Sequence, residues 1–262
     1  MELRRNLFLK GLQEDRSLLG CWLGIPDASV AEIAAGAGYD WLLIDHEHAA
    51  FEVCDVLSHL RAMAPYPVEP IVRPVDDDPA LLKKLLEIGT QTFLVPMIDS
   101  AEQAQACVQA VYFPPVGNRG VGSSLARAAR WNQVEGYLSK ANNEICLLIQ
   151  AESVKALENL DEILQVDGIH GVFIGPSDLA ASMGFIGKPS AAEVVKEIDR
   201  AIKKIRAAGK AAGILSLDPE MIAFYRESGA NFVGVGVDTL LIAQGFKDRL
   251  QEARGMNSRK SN

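Results

Sequence analysis

Two short apolar runs end in carboxylates, and a helical pattern follows each: Cys146-Leu-Leu-Ile-Gln-Ala-Glu152 and Val172-Phe-Ile-Gly-Pro-Ser-Asp178. Adjacent parallel strands lie about 4.8 Å apart, so side chains leaving their ends can converge on one ion. A pair of carboxylates with room for water and substrate oxygens suits Mg²⁺ or Mn²⁺, hard cations that take oxygen ligands in octahedral geometry. That pattern points to metal-dependent chemistry on an oxygen-rich small molecule.

Groups of this kind need strand ends to position them. Apolar runs predict strands at Gly20–Ile25, Trp41–Asp45, Pro70–Arg73, Phe93–Met97, Ile145–Gln150, Gly171–Ile174, Ala212–Leu215 and Phe232–Val237. Amphipathic patterns between them predict helices at Ser29–Ala37, Phe51–Met63, Pro79–Ile88, Ala101–Val111, Val154–Leu164, Ala191–Ala207, Pro219–Ser228 and Thr239–Ala253. Asp78 before Pro79 and Asp218 before Pro219 supply a cap and then an N1 proline. Eight βα units in series predict a single (β/α)₈ TIM barrel over residues 1–262, with a polar, frayed tail from about 255. An open doubly wound sheet is the rival fold, but no G-x-G-x-x-G opens the helix after the first strand. The long spacing from Ile98 to Glu144 holds a helix and then a glycine-rich insertion, a length usual for active-site loops.

In a barrel, functional groups leave the C-terminal strand ends. Those positions hold Asp45, His46, Glu47 and His48, then Arg73, Gln150 with Glu152, Asp178, and Asp238. Several keep two readings. Asp178 fits a metal ligand or a cap of the next helix, and Glu152 a ligand or half of a structural ion pair. Arg73 fits an oxyanion contact or a bridge to a neighbouring strand. Of His46 and His48, one suits a general base and the other a surface position. Arg119 to Ser124 reads as a surface turn or as an anion-binding nest. His59, inside a helix, and His170, at the opposite end of a strand, read as structural. No lysine stands at a C-terminal strand end, so a Schiff-base nucleophile is missing.

Composition excludes other classes. The net charge of −8, without an aromatic-basic patch, argues against nucleic acid binding. No run approaches the roughly 20 apolar residues of a membrane span, and the charged N-terminus lacks a signal peptide's apolar core. Cys21, Cys54, Cys107 and Cys146 form no C-x-x-C pair, so free thiols in a cytoplasmic protein are expected.

Taken together, the motifs resemble the HpcH/HpaI class II aldolases, metal-dependent pyruvate aldolases. The likeness spans roughly residues 18 to 246. It rests on Asp45-x-Glu47-His48-Ala49 after a W-L-L-I strand, Val72-Arg73-Pro74, and Val95-Pro96-Met97. It continues in Phe113-Pro-Pro-x-Gly-x-Arg-Gly-Val-Gly122, Gln150-x-Glu152 and Gly175-Pro-x-Asp-Leu179. The resemblance implies a TIM barrel of the phosphoenolpyruvate/pyruvate-binding type, assembled as a hexamer, a trimer of dimers. It implies a divalent metal (Mg²⁺ or Mn²⁺, with Co²⁺ also acceptable) on Glu152 and Asp178. Arg73 would hold the C2 oxygen of a 2-oxo acid, Gln150 would orient substrate, and the backbone at Ser177 and Asp178 would receive its carboxylate. His48, paired with Asp45, would move a proton at the C4 hydroxyl. The implied reaction cleaves 4-hydroxy-2-oxo acids to pyruvate and an aldehyde, or runs in reverse. A thioester lyase of the malyl-CoA kind and a non-catalytic 2-oxo-acid-binding barrel are the alternatives. Three positions depart from the family pattern: His46 where a small residue is usual, Ala49-Ala50-Phe51 for Ala-Pro-Asn, and Glu87 for an aspartate thought to reach a neighbouring subunit's site.

Overall fold

The computed structural model describes residues 1–258. Eight parallel strands close into a barrel in chain order, with the last strand pairing with the first. They are β1 (Leu18–Leu23), β2 (Trp41–Asp45), β3 (Glu69–Arg73), β4 (Thr92–Val95), β5 (Cys146–Ala151), β6 (Gly171–Ile174), β7 (Ala211–Leu215) and β8 (Phe232–Val237). Helix α1 (Leu7–Gln13) precedes β1, and α2 (Ala28–Ala35), α3 (Val53–Ala62) and α4 (Pro79–Ile88) follow the first three strands. After β4 come α5 (Ala101–Val111) and the short α6 (Tyr137–Lys140). The second half carries α7 (Val154–Glu158), α8 (Leu160–Leu164), α9 (Pro176–Ser182), α10 (Ala192–Ala207), α11 (Pro219–Glu227) and α12 (Asp238–Ser258).

All eight expected strands are present, and their ends move for local reasons. β4 stops at Val95 because Pro96 has no N–H to give a ladder. β1 stops at Leu23 because the next two N–H groups turn to the Asp238 carboxylate. The expected helix Val154–Leu164 is two helices that meet at Asn159. α12 runs past Gly255 to Ser258, and the rest of the tail expected to fray, residues 259–262, lies outside those described. Three helices escaped the periodicity, among them the single turn of α6. α1 is capped by Asn6, whose side chain accepts the Leu9 N–H, and α9 is a two-turn segment too short to show a period.

Alternation along the strands sorts side chains into two cores. Leu42 and Ile44 face the helices, while Trp41 and Leu43 face the barrel interior. The interior is aromatic: Trp22 meets Trp41 edge-on at 5.7 Å, and Phe8 from α1 meets Phe232 edge-on at 5.7 Å. Rings this large fit only where neighbouring strands lack side chains. A Cβ on Gly20 would lie 2.0 Å from the Trp41 ring, and one on Gly213 2.1 Å from that of Phe232. Packed rings thus fill the barrel below the strand ends, which leaves chemistry to the mouth.

The insertion after α5 has a small core of its own, built on Phe113, Ala126, Ala129, Val134 and Tyr137. Arg119 anchors it. Its guanidinium is buried, 4.2 Å from the Phe113 ring centroid, and donates to Glu87 and to the Tyr137 hydroxyl, both at 3.0 Å. Arg119 is therefore a structural tie and not part of an anion nest, and the exposed turn begins after it. Glu87 is this arginine's partner within the same chain.

At the N-terminal end of the barrel, Glu69 is almost fully buried, and only one of its oxygens is bonded, to Arg4 and the Leu7 N–H. Burial outweighs the Arg4 charge and pushes this carboxyl up to about 7. The native state then holds a proton that the unfolded chain releases near pH 4.5, so stability falls as pH rises from about 4.5 through 7. Chemical denaturation across pH 5 to 8 should show a loss of roughly 2–3 kcal/mol from this group in the wild type. In Glu69→Gln that part of the slope should vanish.

Candidate active site

The register of β2 and β3 sets Asp45 directly beside Arg73. Arg73 Nε donates to Asp45 Oδ1 at 3.0 Å, and Nη2 donates to Oδ2 at 2.6 Å, a two-pronged pair in which each side chain is 8% exposed. Nη1 lies 3.0 Å from Glu47 Oε2, and the Trp22 ring centroid is 5.8 Å from the guanidinium carbon. The arginine is thus fixed on two sides by carboxylates and backed by an aromatic wall. Asp45 Oδ1 also accepts the N–H groups of Glu47 and His48, each at 3.2 Å, which folds the turn after β2.

This geometry corrects the expected pairing of His48 with Asp45. Both Asp45 oxygens face Arg73, and only the backbone of His48 reaches the carboxylate. The imidazole side chain is 64% exposed, with Nε2 3.8 Å from Glu47 Oε2. His46, in contrast, is buried with Nδ1 unpartnered, so the exposed ring at the mouth is that of His48. Glu47 is the residue that sequence reasoning left without a role. Burial, reinforced by Asp45 and Asp178 and opposed by Arg73 and His48, pushes its carboxyl upward. The signal was available: three ionisable side chains in one turn cannot all be surface bystanders when the strand before them is buried.

Glu152 sits just past β5 and is 3% exposed. Its Oε1 accepts the Met97 N–H at 2.9 Å, and its Oε2 accepts from the Gln150 amide in a very short contact. Met97 makes that bond with φ at 55°, a left-handed conformation unfavourable outside glycine. Burial pushes Glu152 up to about 7; the Gln150 and Met97 donors oppose the shift, and Asp178 and Glu47 add to it. Gln150 Oε1 is buried without a partner.

Asp178 lies in the first turn of α9, exposed, where Gly175 is the N-cap and no side chain caps the helix. It is therefore free of the capping role that was its rival reading. The N–H groups of Ser177 and Asp178 precede the first intrahelical donor, the Leu179 N–H that bonds the Gly175 carbonyl, so they remain open to an anion. The mutual influence of Glu47, Glu152 and Asp178 places three carboxylates around one mouth. Among the described residues no three His, Cys, Asp or Glu side chains converge into a preformed ligand cluster. Two carboxylates with remaining positions open to water and substrate match how Mg²⁺ is usually held. The buried Glu152 carboxylate and the unpartnered Gln150 oxygen are donors of the kind a hard divalent cation takes.

The other candidates are structural. Asp238 accepts the N–H groups of Gly24 and Ile25 at 2.8 and 3.1 Å, which closes the barrel seam between β8 and β1. His59 is buried between the Asp55 and Ile25 carbonyls. His170 Nδ1 accepts the Leu147 N–H at 3.1 Å, and burial, aided by Lys210, pushes its imidazole down to about 4. All four cysteines are unpaired, three of them buried.

A family model described as HpcH/HpaI aldolase/citrate lyase matches residues 18–244. The chain belongs to this family. The 2-keto-3-deoxy-L-rhamnonate aldolase of Klebsiella pneumoniae subsp. pneumoniae is 53% identical, over 94% of this chain and 92% of the relative. The hydroxypyruvate/pyruvate aldolase of Pseudomonas aeruginosa is 51% identical, over 97% and 95%. Among solved structures, an HpcH/HpaI aldolase/citrate lyase family protein from Burkholderia cenocepacia J2315 superposes with a TM-score of 0.92 at 36% identity, covering 95% of this chain and 99% of that one. As a member of the HpcH/HpaI family with aldolase relatives at this identity, the chain is an aldolase, a carbon–carbon lyase.

Gly175 offers a sharp test of the cradle. Its φ of −84° is open to any residue, yet a Cβ there would lie 2.4 Å from Glu152 Oε2 and 2.8 Å from Glu152 Cβ. Gly175→Ala should displace Glu152 while the barrel stays folded. Turnover should drop by about 100-fold or more, the scale expected when a reacting geometry moves by an ångström, with a far-ultraviolet circular dichroism spectrum unchanged.

Proposed function

We propose that this aldolase cleaves 4-hydroxy-2-oxo acids to pyruvate and an aldehyde, and runs the reverse addition, with a divalent metal at Glu152 and Asp178. The observation that carries this reading is the Arg73 guanidinium, locked by Asp45 and by Glu47, the carboxylate that also feels Asp178 and acts on Glu152. Breaking the C3–C4 bond of such an acid leaves an enolate whose charge builds on the C2 oxygen. A donor already fixed where charge develops lowers that barrier without reorganising, an effect typically worth about 10²–10³-fold per donor. Arg73 is that donor, since its orientation is set before substrate arrives. Bound at Glu152 and Asp178, Mg²⁺, Mn²⁺ or Co²⁺ would polarise the same oxygen as a Lewis acid.

The remaining residues position substrate and move its proton. The first-turn N–H groups at Ser177 and Asp178 receive the C1 carboxylate, and Gln150 turns its free amide oxygen toward substrate or water. The exposed His48 ring, close to Glu47, takes the C4 hydroxyl proton as the bond breaks, a role typically worth about 10²–10⁴-fold. In the addition direction it returns that proton to the new alkoxide.

2-Keto-3-deoxy-L-rhamnonate, named for the Klebsiella relative, is itself a 4-hydroxy-2-oxo acid, and we place this chain's substrate in that class. A thioester lyase would need a basic site for the CoA phosphates at the mouth, where this chain presents carboxylates. We also infer an assembly of copies of this chain, a hexamer built as a trimer of dimers. The exposed Leu240, Leu241, Phe246 and Leu250 along α12 support association through apolar surface. No helix of the described residues is long and apolar enough to cross a membrane, and the unpaired cysteines suit the reducing cytoplasm.

The deciding assay is pyruvate release from 2-keto-3-deoxy-L-rhamnonate and from 4-hydroxy-2-oxoheptanedioate, before and after chelation and with Mg²⁺ or Mn²⁺ restored. Release should be lost with chelator and recovered with metal. Persistence in its absence would overturn the mechanism. Arg73→Ala and Glu152→Ala should each lower kcat by at least about 10³-fold, and His48→Ala by about 10²-fold or more. Near-normal turnover in either of the first two would remove the site assignment.

A further inference from the structure

The N-terminal end of the barrel, remote from the mouth, holds a cavity of about 170 Å³. It lies under the segments that lead into β4 and β5, and Arg4, Thr90, Arg127 and Arg130 line it, with the exposed Glu2 as its one lining carboxylate. The three arginines are not equally engaged. Arg4 donates to the Val68 carbonyl at 3.0 Å and to Glu69 at 3.3 Å. Arg127 donates one Nη1 bond, at 2.7 Å, to the Ile88 carbonyl at the end of α4, and faces no carboxylate among the described residues. Arg130 makes no side-chain hydrogen bond or ion pair among the described residues. Thr90 is 2% exposed, and its hydroxyl is buried without a partner.

Positive charge is thus gathered where little neutralises it. Burial, followed by the charges of Arg130, Arg61 and Arg4, holds the Arg127 guanidinium down to about 10. Capping α4 accounts for one nitrogen of Arg127. It leaves unexplained the second arginine and the stranded hydroxyl. A buried donor without an acceptor is costly, and a nearby anion would satisfy all three groups at once. The backbone adds a related sign: Arg130, Trp131 and Asn132 hold φ of 48°, 54° and 67°, three left-handed non-glycines in succession. Such conformations persist where surroundings impose them, and they gather at ligand clamps.

Size and shape narrow the ligand. Pockets for drug-sized molecules run to about 300–1,000 Å³, so this cavity takes a single compact group. Guanidinium forks match the oxygens of phosphate in pairs, and a hydroxyl can donate a third bond. We propose that this cavity is a second ligand site, which binds a tetrahedral oxyanion, as free phosphate or as the phosphate of a small metabolite, through Arg127, Arg130 and the Thr90 hydroxyl. The proposal is independent of the aldol mechanism, since none of these residues borders the mouth.

The test is calorimetric titration of inorganic phosphate into the metal-loaded full-length enzyme, with chloride at matched ionic strength as the blank. Wild type and Arg73→Lys should both take up one phosphate per chain at this end, because Arg73 belongs to the mouth. Arg130→Gln should bind about tenfold more weakly or not at all, as expected for losing one charge-assisted hydrogen bond. Thr90→Val, an isosteric change, should weaken binding several-fold, and it decides the matter if the arginine variant fails to fold. Catalytic turnover should be retained in both cavity variants. Competition by glycerol 3-phosphate identifies a metabolite phosphate as the natural group, and its failure to compete identifies the free oxyanion; the site stands in both cases. Heat no greater than the chloride blank, unchanged affinity in the cavity variants, or loss confined to Arg73→Lys would overturn the proposal.

Discussion

A guanidinium buried at the end of a strand depends on the carboxylates beside it. Arg73 is 8% exposed, and its five donors have little water to meet. Asp45 answers two of them through a paired fork, and Glu47 faces a third nitrogen. Removing one partner from such a group leaves a charge desolvated and uncompensated, so the pair behaves as a unit. Asp45 also folds the turn that carries Glu47 and His48. One carboxylate therefore orients the arginine, shapes the loop and places the exposed imidazole.

The opposite wall of the mouth works through repulsion. Glu152 is buried, with Glu47 and Asp178 near enough to raise it further, and only two neutral donors, Gln150 and Met97, hold it. An arrangement that gathers negative charge around one opening is unfavourable alone and favourable around a cation. The backbone is shaped to the same end, since Met97 adopts a left-handed φ to keep its N–H on Glu152, and Gly175 lacks the Cβ that would collide with it. Strain and repulsion of this kind are affordable because the aromatic interior and the closed ladder over-determine the strands below.

Charge is divided between the two ends of the barrel. Carboxylates gather at the C-terminal mouth around a single buried arginine, and arginines gather at the N-terminal end around Glu69 and Glu2. The insertion after α5 supplies Arg127 and Arg130 to that lower end while its own fold is tied down by Arg119. A segment whose length suggested an active-site loop thus also builds the opposite end of the molecule.

Much of this was determined by the sequence alone. Eight apolar runs bounded by caps and glycines predict eight strands, because hydrophobic alternation is a local property that burial then enforces. The same reading placed Arg73, Gln150, Glu152 and Asp178 at one end, because a βα repeat always delivers strand C-termini to one face. Tertiary structure decided the partners. Asp45 lies at the strand end where the sequence places it but is bonded to Arg73 on the adjacent strand and not to the His48 ring, because strand register is set by long-range pairing that spacing along the chain does not encode. Arg119 turned inward because Phe113, Tyr137 and Glu87 meet only after the insertion packs. Helix α1 and the arginine cavity were invisible for the same reason: each exists through contacts between residues far apart in the chain, which local pattern cannot record.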